Sequence, residues 1–234
     1  MHPLPFLVAA LLAGASAFAQ PYPAEVVVDV TKNPYNADAS GTADATAAIQ
    51  AAMDDHDGAI TERTILYFPA GTYRISDTLR LDTHSGAGGG SGRGIVLQGA
   101  GEDLTTLRMA DAAAGFGDAG APRAVVDFNE ANDLGGAWQF VGFQTHIKDM
   151  TLDVGGGNPG AVGIDFCANN CGGIRNVTVR SSDPEGSGRY GILLSSIPGP
   201  QLLKNLRVEG FDWAVATSAD PHYLTVIEDL EVAG

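Results

Sequence analysis

A short phrase recurs four times in the second half of this 234-residue chain. It reads "IKDMTLDV" from residue 147, "IRNVTVRS" from 174, "LKNLRVEG" from 203 and "IEDLEVAG" from 227. The copies therefore begin 27, 29 and 24 residues apart. Strand-like repeats with a period of about 20 to 50 residues indicate stacked coils of a solenoid. The phrase therefore predicts an all-β fold, a parallel β-helix.

Each copy of the phrase carries an Asn or Asp at its third position, namely Asp149, Asn176, Asn205 and Asp229. Short polar side chains tolerate the left-handed backbone angles of a sharp bend and can bond nearby groups. We therefore expect a bend at this position, with the flanking aliphatic residues pointing inward. Stacking of the coils would bring the four polar side chains into a ladder.

A second strand precedes each phrase: "VVDF" at 125, "GIDF" at 163, "GILL" at 191 and "AVAT" at 214. The last three lie at similar distances from the next phrase, which predicts that they form another face of the same coils. This alignment makes Asp127 and Asp165 outward neighbours on adjacent coils, followed by Leu193 and Ala216.

The earlier part of the chain reads as one helix followed by short strands. An apolar face at helical spacing predicts a helix from about 44 to 55, with Thr42 or Asp44 as its N-cap. The strands are predicted at "TILYF", "TYRIS", "TLRL", "GIVLQG", "TTLRM" and "AVVDF". An open coil exposes its apolar interior, so we expect the helix to cap the N-terminal end of the solenoid.

The first 19 residues, "MHPLPFLVAALLAGASAFA", have an apolar run followed by small residues. This pattern is typical of a secretory signal peptide cleaved after Ala19, and the run is shorter than the roughly 20 residues of a membrane span. Residues 20–234 then form one domain of a secreted protein, extracellular or periplasmic. Its net charge of -15 provides no basic stripe for nucleic acid or anionic lipid.

The segments "DATAAIQAAM", "ILYFPAGTYRIS" and "GIVLQGAGEDLTTLRM", in this order, resemble the opening of the pectate-lyase-superfamily right-handed β-helix domain. Rhamnogalacturonase-like and mannuronan-epimerase-like proteins and phage tailspikes share this domain. The resemblance covers roughly residues 25 to 110 and implies a right-handed solenoid that acts on a polysaccharide.

The chain also departs from that family. Of the usual opening Gly-Asp-Gly and Thr-Asp-Asp motifs only Asp44 is in place. The Asn-Thr-Asp, Asp-Asp, Gly-His-Gly and Arg-Ile-Lys signatures of polygalacturonase-like relatives are absent from the sequence. No catalytic residue can therefore be transferred from the resemblance.

The aspartate pair is the first candidate catalytic site. Carboxylates on neighbouring strands, about 4.8 Å apart, shift each other's pKa in opposite directions and suit an acid and a base. Asp127 and Asp165 are thus candidate catalytic residues, and Ca²⁺ is a candidate ligand of the pair, although no cofactor is required. The alternative is a solvated acidic surface, which is common on a chain of this charge.

A second candidate site follows the bend. One outward column is predicted at Thr151, Thr178, Arg207 and Glu231, and a second at Asp153, Arg180 and Glu209. Ordinary cross-strand pairing of Arg180 with Asp153 and Glu209 explains these charges without any function. The functional interpretation is a groove for sugar hydroxyls, with Arg180 and Arg207 as ligands and Tyr190, Trp138 or Trp213 as a stacking platform.

Three further sequence features bear on a disulfide, a metal site and a nucleotide site. Cys167 and Cys171 are a disulfide candidate in an exported protein, with buried free thiols as the alternative. His146 and His222 have no neighbouring Cys or second His that indicates a metal site. The glycine-rich stretch 85–94 lacks the Gly-Lys-Ser/Thr and the helix of a nucleotide site, which favours a loop.

Two functions are open on these grounds. The first is a secreted, carbohydrate-active β-helix, a polysaccharide lyase or glycoside hydrolase. The alternative is a non-catalytic glycan-binding or cell-surface module, which the missing signatures favour. No capping segment follows the fourth phrase, so we expect further C-terminal coils, or a second subunit, to cover that end of the solenoid and to complete the site.

Overall fold

The computed structural model describes residues 26–56, 63–81, 94–128, 143–168, 170–184, 188–195, 199–217 and 224–234. Within these ranges the chain forms one helix, α1 (Thr46–Asp55), and fifteen strands. The strands are β1 (Val27–Asp29), β2 (Ser40–Asp44), β3 (Thr64–Phe68), β4 (Gly71–Ile75), β5 (Leu79–Arg80), β6 (Ile95–Gly99), β7 (Thr105–Met109), β8 (Arg123–Phe128), β9 (His146–Asp153), β10 (Ala161–Phe166), β11 (Gly172–Arg180), β12 (Tyr190–Leu194), β13 (Gln201–Glu209), β14 (Trp213–Thr217) and β15 (Thr225–Ala233). The predicted signal peptide, 1–19, lies outside the described residues.

The strands build two parallel sheets that wrap around one core. The first sheet has ten strands and includes the path β1-β3-β6-β9-β11-β13-β15, while the second has the order β14-β12-β10-β8-β5. Successive passes of the chain alternate between the sheets, so each coil stacks on the one before it. The fold is a right-handed parallel β-helix, as predicted.

The recurring phrase forms the long strands β9, β11, β13 and β15, which pair in register. Asp149, Asn176, Asn205 and Asp229 all have φ between 52° and 58°, which confirms the predicted left-handed bend. The Asn176 amide donates to Asp149 Oδ1 at 2.7 Å, and the Asn205 amide donates to Asn176 Oδ1 at 3.0 Å. The ladder therefore satisfies polar groups from coil to coil at the position where the strand turns.

The earlier coils make the same turn with a loop instead of a bend. β3 stacks on β6 and β6 stacks on the first half of β9, whereas β7 stacks on its second half. Between β6 and β7 the Thr105 hydroxyl accepts from the Ala100 amide and donates to the Phe68 carbonyl, which fixes the loop. Gln98 of β6 starts the ladder by donating to Asp149 Oδ2 at 3.4 Å.

A glycine makes room for a corner in the second sheet. Ile164 of β10 points into the core, and a Cβ added to the preceding Gly163 would collide with the core side chain Val179. Two consecutive inward positions therefore fit only if one has no side chain. Gly191 in β12 has the same relation to Val208.

Helix α1 packs its apolar face on the core and lies against β5, the edge strand of the second sheet. Ile49, Ala52 and Met53 are fully buried, as the helical spacing predicts. The Gln50 amide donates to the Arg80 carbonyl and its oxygen accepts from the Arg80 amide, which joins helix and strand. The helix thus caps the N-terminal end of the solenoid.

The start of α1 differs from the prediction. The N-cap is Ala45, which makes no side-chain cap bond, rather than Thr42 or Asp44. Asp44 lies one residue too early to occupy the cap, but its carboxylate accepts from the Thr46 amide and hydroxyl. Thr42 belongs instead to β2, where its amide donates to Asp38. A carboxylate still satisfies one of the free amides of the first turn.

The last coil exposes apolar side chains on β15 and just before it: Leu224, Val226, Ile227, Leu230 and Val232. In earlier coils the residues equivalent to Ile227 and Leu230 are buried, because the next coil covers them. Coverage of β15 by further coils or a second subunit stays a prediction. Among the described residues there is no helix with the length and hydropathy of a membrane span.

Candidate active site

The predicted aspartate pair lies on the outer face of the second sheet. Asp127 of β8 and Asp165 of β10 are register partners on adjacent parallel strands, and both are half-buried. Arg80 of β5 is the partner of Asp127 on the other side, and Leu193 of β12 is the partner of Asp165. The column predicted from the sequence therefore forms, and it begins with an arginine that sequence analysis did not include.

Asp165 is held by the end of the neighbouring strand. The Ser195 hydroxyl donates to Asp165 Oδ2 at 2.7 Å, and the Ser195 amide donates to Oδ1 at 3.4 Å. Two donors thus orient this carboxylate.

Tyr190 and Trp213 lie on the same sheet as the aspartates. They are register partners on β12 and β14, and the Trp213 ring is 57% exposed. The Arg189 guanidinium lies 5.3 Å from the centre of the Tyr190 ring and pairs with Asp212 at 2.7 Å. These aromatic side chains offer a surface for sugar stacking. Trp138, the other predicted platform, and His222 lie outside the described residues.

Arg180 and Arg207 lie on the first sheet, so the structure does not bring them together with Tyr190. Arg180 pairs with Asp153 at 3.0 Å, as expected from cross-strand pairing. The expected pair with Glu209 does not form in the described part of the chain. Glu209 pairs instead with Arg207 at 2.9 Å, because the two residues lie on the same face of one strand.

Arg207 lines a groove on the first sheet, and only some of the residues in its walls were predicted from the sequence. The groove has a volume of about 520 Å³, and Thr178, Asn205 and Glu231 are among its lining residues. Its other wall is the loop residues Glu102 and Asp103. Burial, and then the nearby charges of Asp103 and Asp149, raise the Glu102 pKa, although a hydrogen bond from Thr178 opposes this. Sequence reasoning missed Glu102 because its loop has no counterpart in the repeats.

The structure holds Cys167 and Cys171 as thiols, and the disulfide between them stays a prediction. Cys167 is buried at the end of β10, whereas Cys171 is exposed. Asn170 and Cys171 both have positive φ, so the chain turns sharply between the two thiols. Only Cys167 has the burial that the alternative of buried thiols requires.

Metal ligands are sparse in the same part of the chain. No group of three or more His, Cys, Asp or Glu side chains that could hold a metal ion occurs among the described residues. His146 is largely buried in the first sheet, where burial and the nearby charges of Arg175, Lys148 and Arg63 lower its pKa to about 4. Its imidazole is therefore neutral at pH 7.

Comparison with known proteins identifies the family. The family model described as "Rhamnogalacturonase A/epimerase, pectate lyase-like" matches residues 28–233. The chain belongs to this family. No curated protein sequence matches it.

Solved structures agree on the fold of this pectate lyase-like family member. The ORF18 protein of Geobacillus virus E2 superposes with a TM-score of 0.59 at 15% identity, over 90% of this chain and 43% of that protein. The catalytic unit of a GH87 α-1,3-glucanase from Streptomyces thermodiastaticus gives a TM-score of 0.51 at 17% identity, over 93% of this chain and 37% of that protein. The pectate lyase-like chain thus spans less than half the length of these two structures.

Proposed function

We propose that this protein is a secreted enzyme that hydrolyses a polysaccharide at the Asp127 and Asp165 pair. The observation that carries the proposal is the direct register pairing of the two carboxylates on the outer face of adjacent strands. Membership in a family described by rhamnogalacturonase, epimerase and pectate lyase activities supports a polysaccharide substrate. The two solved structures support the fold alone at their level of identity.

Neighbouring parallel strands are about 4.8 Å apart, close to the roughly 5 to 5.5 Å between the carboxyl groups of retaining glycosidases. Asp165, oriented by Ser195, is assigned as the nucleophile that attacks the anomeric carbon. Asp127 is assigned as the acid that protonates the leaving glycosidic oxygen. It then takes a proton from the water that releases the sugar from Asp165.

The aromatic side chains of the same sheet fit a role in substrate binding. Tyr190 and Trp213 present ring surfaces two coils or fewer from Asp165. Sugar rings carry apolar faces that pack on such side chains, while their hydroxyl groups stay hydrated. A glycan chain along the second sheet would therefore contact the aromatic platform and the aspartate pair together.

Ca²⁺ does not enter this reaction scheme. The ion takes six to eight oxygen ligands, and the pair supplies two carboxylates, one of which already accepts bonds from Ser195. Stabilisation by Ca²⁺ is tested by comparing the melting temperature in added CaCl₂ and in EDTA. An increase that disappears in Asp127→Asn would assign a Ca²⁺ site to the pair.

The proposed activity predicts that Asp127→Asn and Asp165→Asn each reduce kcat/KM by about 100-fold or more, since general acid–base catalysis contributes about 10² to 10⁴. Reducing-sugar release and the absorbance of unsaturated uronides are measured on a panel of neutral and acidic polysaccharides. Asp54→Asn, on the exposed face of α1, is the matched control. Wild-type rates in both pair variants would contradict the assignment, and unsaturated products would indicate a lyase.

A second candidate function is glycan binding without cleavage, which the groove beside Arg207 favours. The groove offers carboxylate, amide, hydroxyl and guanidinium groups to sugar hydroxyls, and its volume suits an oligosaccharide. This function predicts binding without products from any polysaccharide of the panel. Affinity electrophoresis would then show weaker retardation of Arg207→Gln and unchanged retardation of Asp127→Asn.

A further inference from the structure

A separate cavity opens on the first sheet, beside the strand segments that precede the bend. Its volume is about 450 Å³, and its walls include Val26, Arg63, Ile65, Val96, His146 and Lys148. This volume lies within the range of about 300 to 1,000 Å³ for small-molecule sites. The cavity is on a different sheet from Asp127 and Asp165, so it plays no part in the proposed hydrolysis.

Positive charge gathers around this cavity although the chain has a net charge of -15. Arg63 and Lys148 line it, and Arg175 is the register partner of Lys148 on the next strand. Within the described residues, neither Arg63 nor Arg175 has an ion-pair partner, and both side chains are exposed. The arginines therefore remain available to a ligand.

Like charges face one another across the strands beside this cavity. Lys148, Arg175 and Lys204 are aligned on three successive strands, and like charges directly opposite each other destabilise a sheet. Glu228 relieves the far end of this column, because it pairs with Lys204 at 2.7 Å. A bound anion beside Arg63 and Arg175 would offset the charge of these two arginines.

His146 lies in the cavity wall, and the same positive charges act on it. After burial, the largest causes of its low pKa are the charges of Arg175, Lys148 and Arg63. These are the same three side chains that carry the positive charge described above. A neutral imidazole adds a hydrogen-bonding group to the wall without adding charge.

The remaining wall is apolar, with Val26, Ile65 and Val96 as its members. Ile65 and Val96 are register partners, so their side chains form a continuous surface. Binding sites of this size commonly combine an apolar wall with a few polar groups that fix orientation. The arrangement suits an organic molecule better than a bare inorganic ion.

We infer that this cavity binds a small organic oxyanion, whose carboxylate or sulfate group is held by Arg63, Lys148 and Arg175 and whose body packs on the apolar wall. Arginine presents a planar fork of donors that matches such a group. The site is independent of the proposed hydrolysis, and a binding measurement tests it directly.

The test uses the full chain and two matched pairs of probes at constant ionic strength: glucuronate with glucose, and benzoate with benzyl alcohol. Titration calorimetry should show saturable binding of a carboxylate and no binding of its neutral twin. Binding of glucuronate would indicate a sugar acid, and binding of benzoate a more apolar acid. Because Cys171 lines the cavity and is exposed whereas Cys167 is buried, a bound carboxylate should also slow alkylation of Cys171 by iodoacetamide.

Arg175→Gln and Arg63→Gln should each weaken carboxylate binding by about tenfold or more, as expected for a charge-assisted hydrogen bond. Arg175→Lys should restore part of it. Arg108→Gln, which removes a side chain paired with Asp111 away from the cavity, is the control and should bind as wild type. Equal binding of acid and neutral twin, unchanged affinity in Arg175→Gln, or no saturable binding would overturn the inference.

Discussion

At the scale of single residues, His146 shows how a shared surface changes the chemistry of one side chain. The residue lines the cavity, and burial together with the charges of Arg175, Lys148 and Arg63 lowers its pKa to about 4 from the usual 6.5. Between these two pH values the unfolded chain binds a proton that the folded chain does not. The free energy of unfolding therefore rises with pH across this window and is lost as pH falls.

We expect His146→Gln to remove this acid sensitivity. From pH 7 to pH 4.5, the free energy of unfolding of the wild type should fall by about 1 to 2 kcal/mol more than that of the variant. This figure allows for the partial exposure of the ring. Urea unfolding at the two pH values measures the difference. His56→Gln, near the end of α1, is a suitable control. An identical pH dependence in wild type and His146→Gln would contradict the shift.

Single residues also show what sequence reasoning could reach. Asn176 was predictable because a short polar residue at a fixed place in each repeat has few roles other than a bend. The grouping of Arg63 with Lys148 and Arg175 was not predictable, because Arg63 is 85 residues from Lys148 and precedes the repeats. Its position depends on the stacking of β3 on β6 and of β6 on β9. No repeated phrase in the sequence predicts this stacking.

At the scale of elements, helix α1 covers the N-terminal end of the solenoid in place of a further coil. It lies against β5 at the edge of the second sheet and contributes Ile49, Ala52 and Met53 to the core. The helix was recognisable from its apolar spacing, and its capping role from the need to cover an open coil. The loop-separated strands β6 and β7 were each predicted, but their joint stacking on β9 was not, because Gly99 and the following loop replace the bend residue.

Met53→Asp should destabilise the protein by several kcal/mol, since it places an unpaired charge where helix and core meet. Ala51→Asp adds the same charge to the exposed face of the same helix and should change stability by less than about 1 kcal/mol. Urea unfolding followed by circular dichroism compares the two. Equal stability of both variants would show that the helix does not cover the core.

At the scale of the whole molecule, the dominant feature is a net charge of -15 on a single stack of coils. The repeats place charged residues outward on every coil, and their acidic members outnumber the basic ones. Ion pairs such as Lys204 with Glu228 offset this repulsion locally, but exposed pairs contribute little to stability. The remaining repulsion acts across the entire surface.

Screening by salt should therefore stabilise the protein at pH 7. Raising sodium chloride from about 10 to about 200 mM shortens the screening length to less than 10 Å, and we expect the melting temperature to rise by a few degrees. At pH 4.4, close to the isoelectric point, the same salt increase should have little effect. A melting temperature that falls with salt at pH 7 would mean that ion pairs outweigh the net repulsion.

The register of β9, β11, β13 and β15 has a consequence for engineering. Residues 151, 178, 207 and 231 are aligned across the four strands, so equivalent atoms recur at intervals of about 4.8 Å. The sheet therefore offers positions at a regular and known spacing. Thr151 is buried, but identical groups introduced at positions 178, 207 and 231 would form a row of known spacing. Their mutual distances would be set by the backbone hydrogen bonds rather than by any linker.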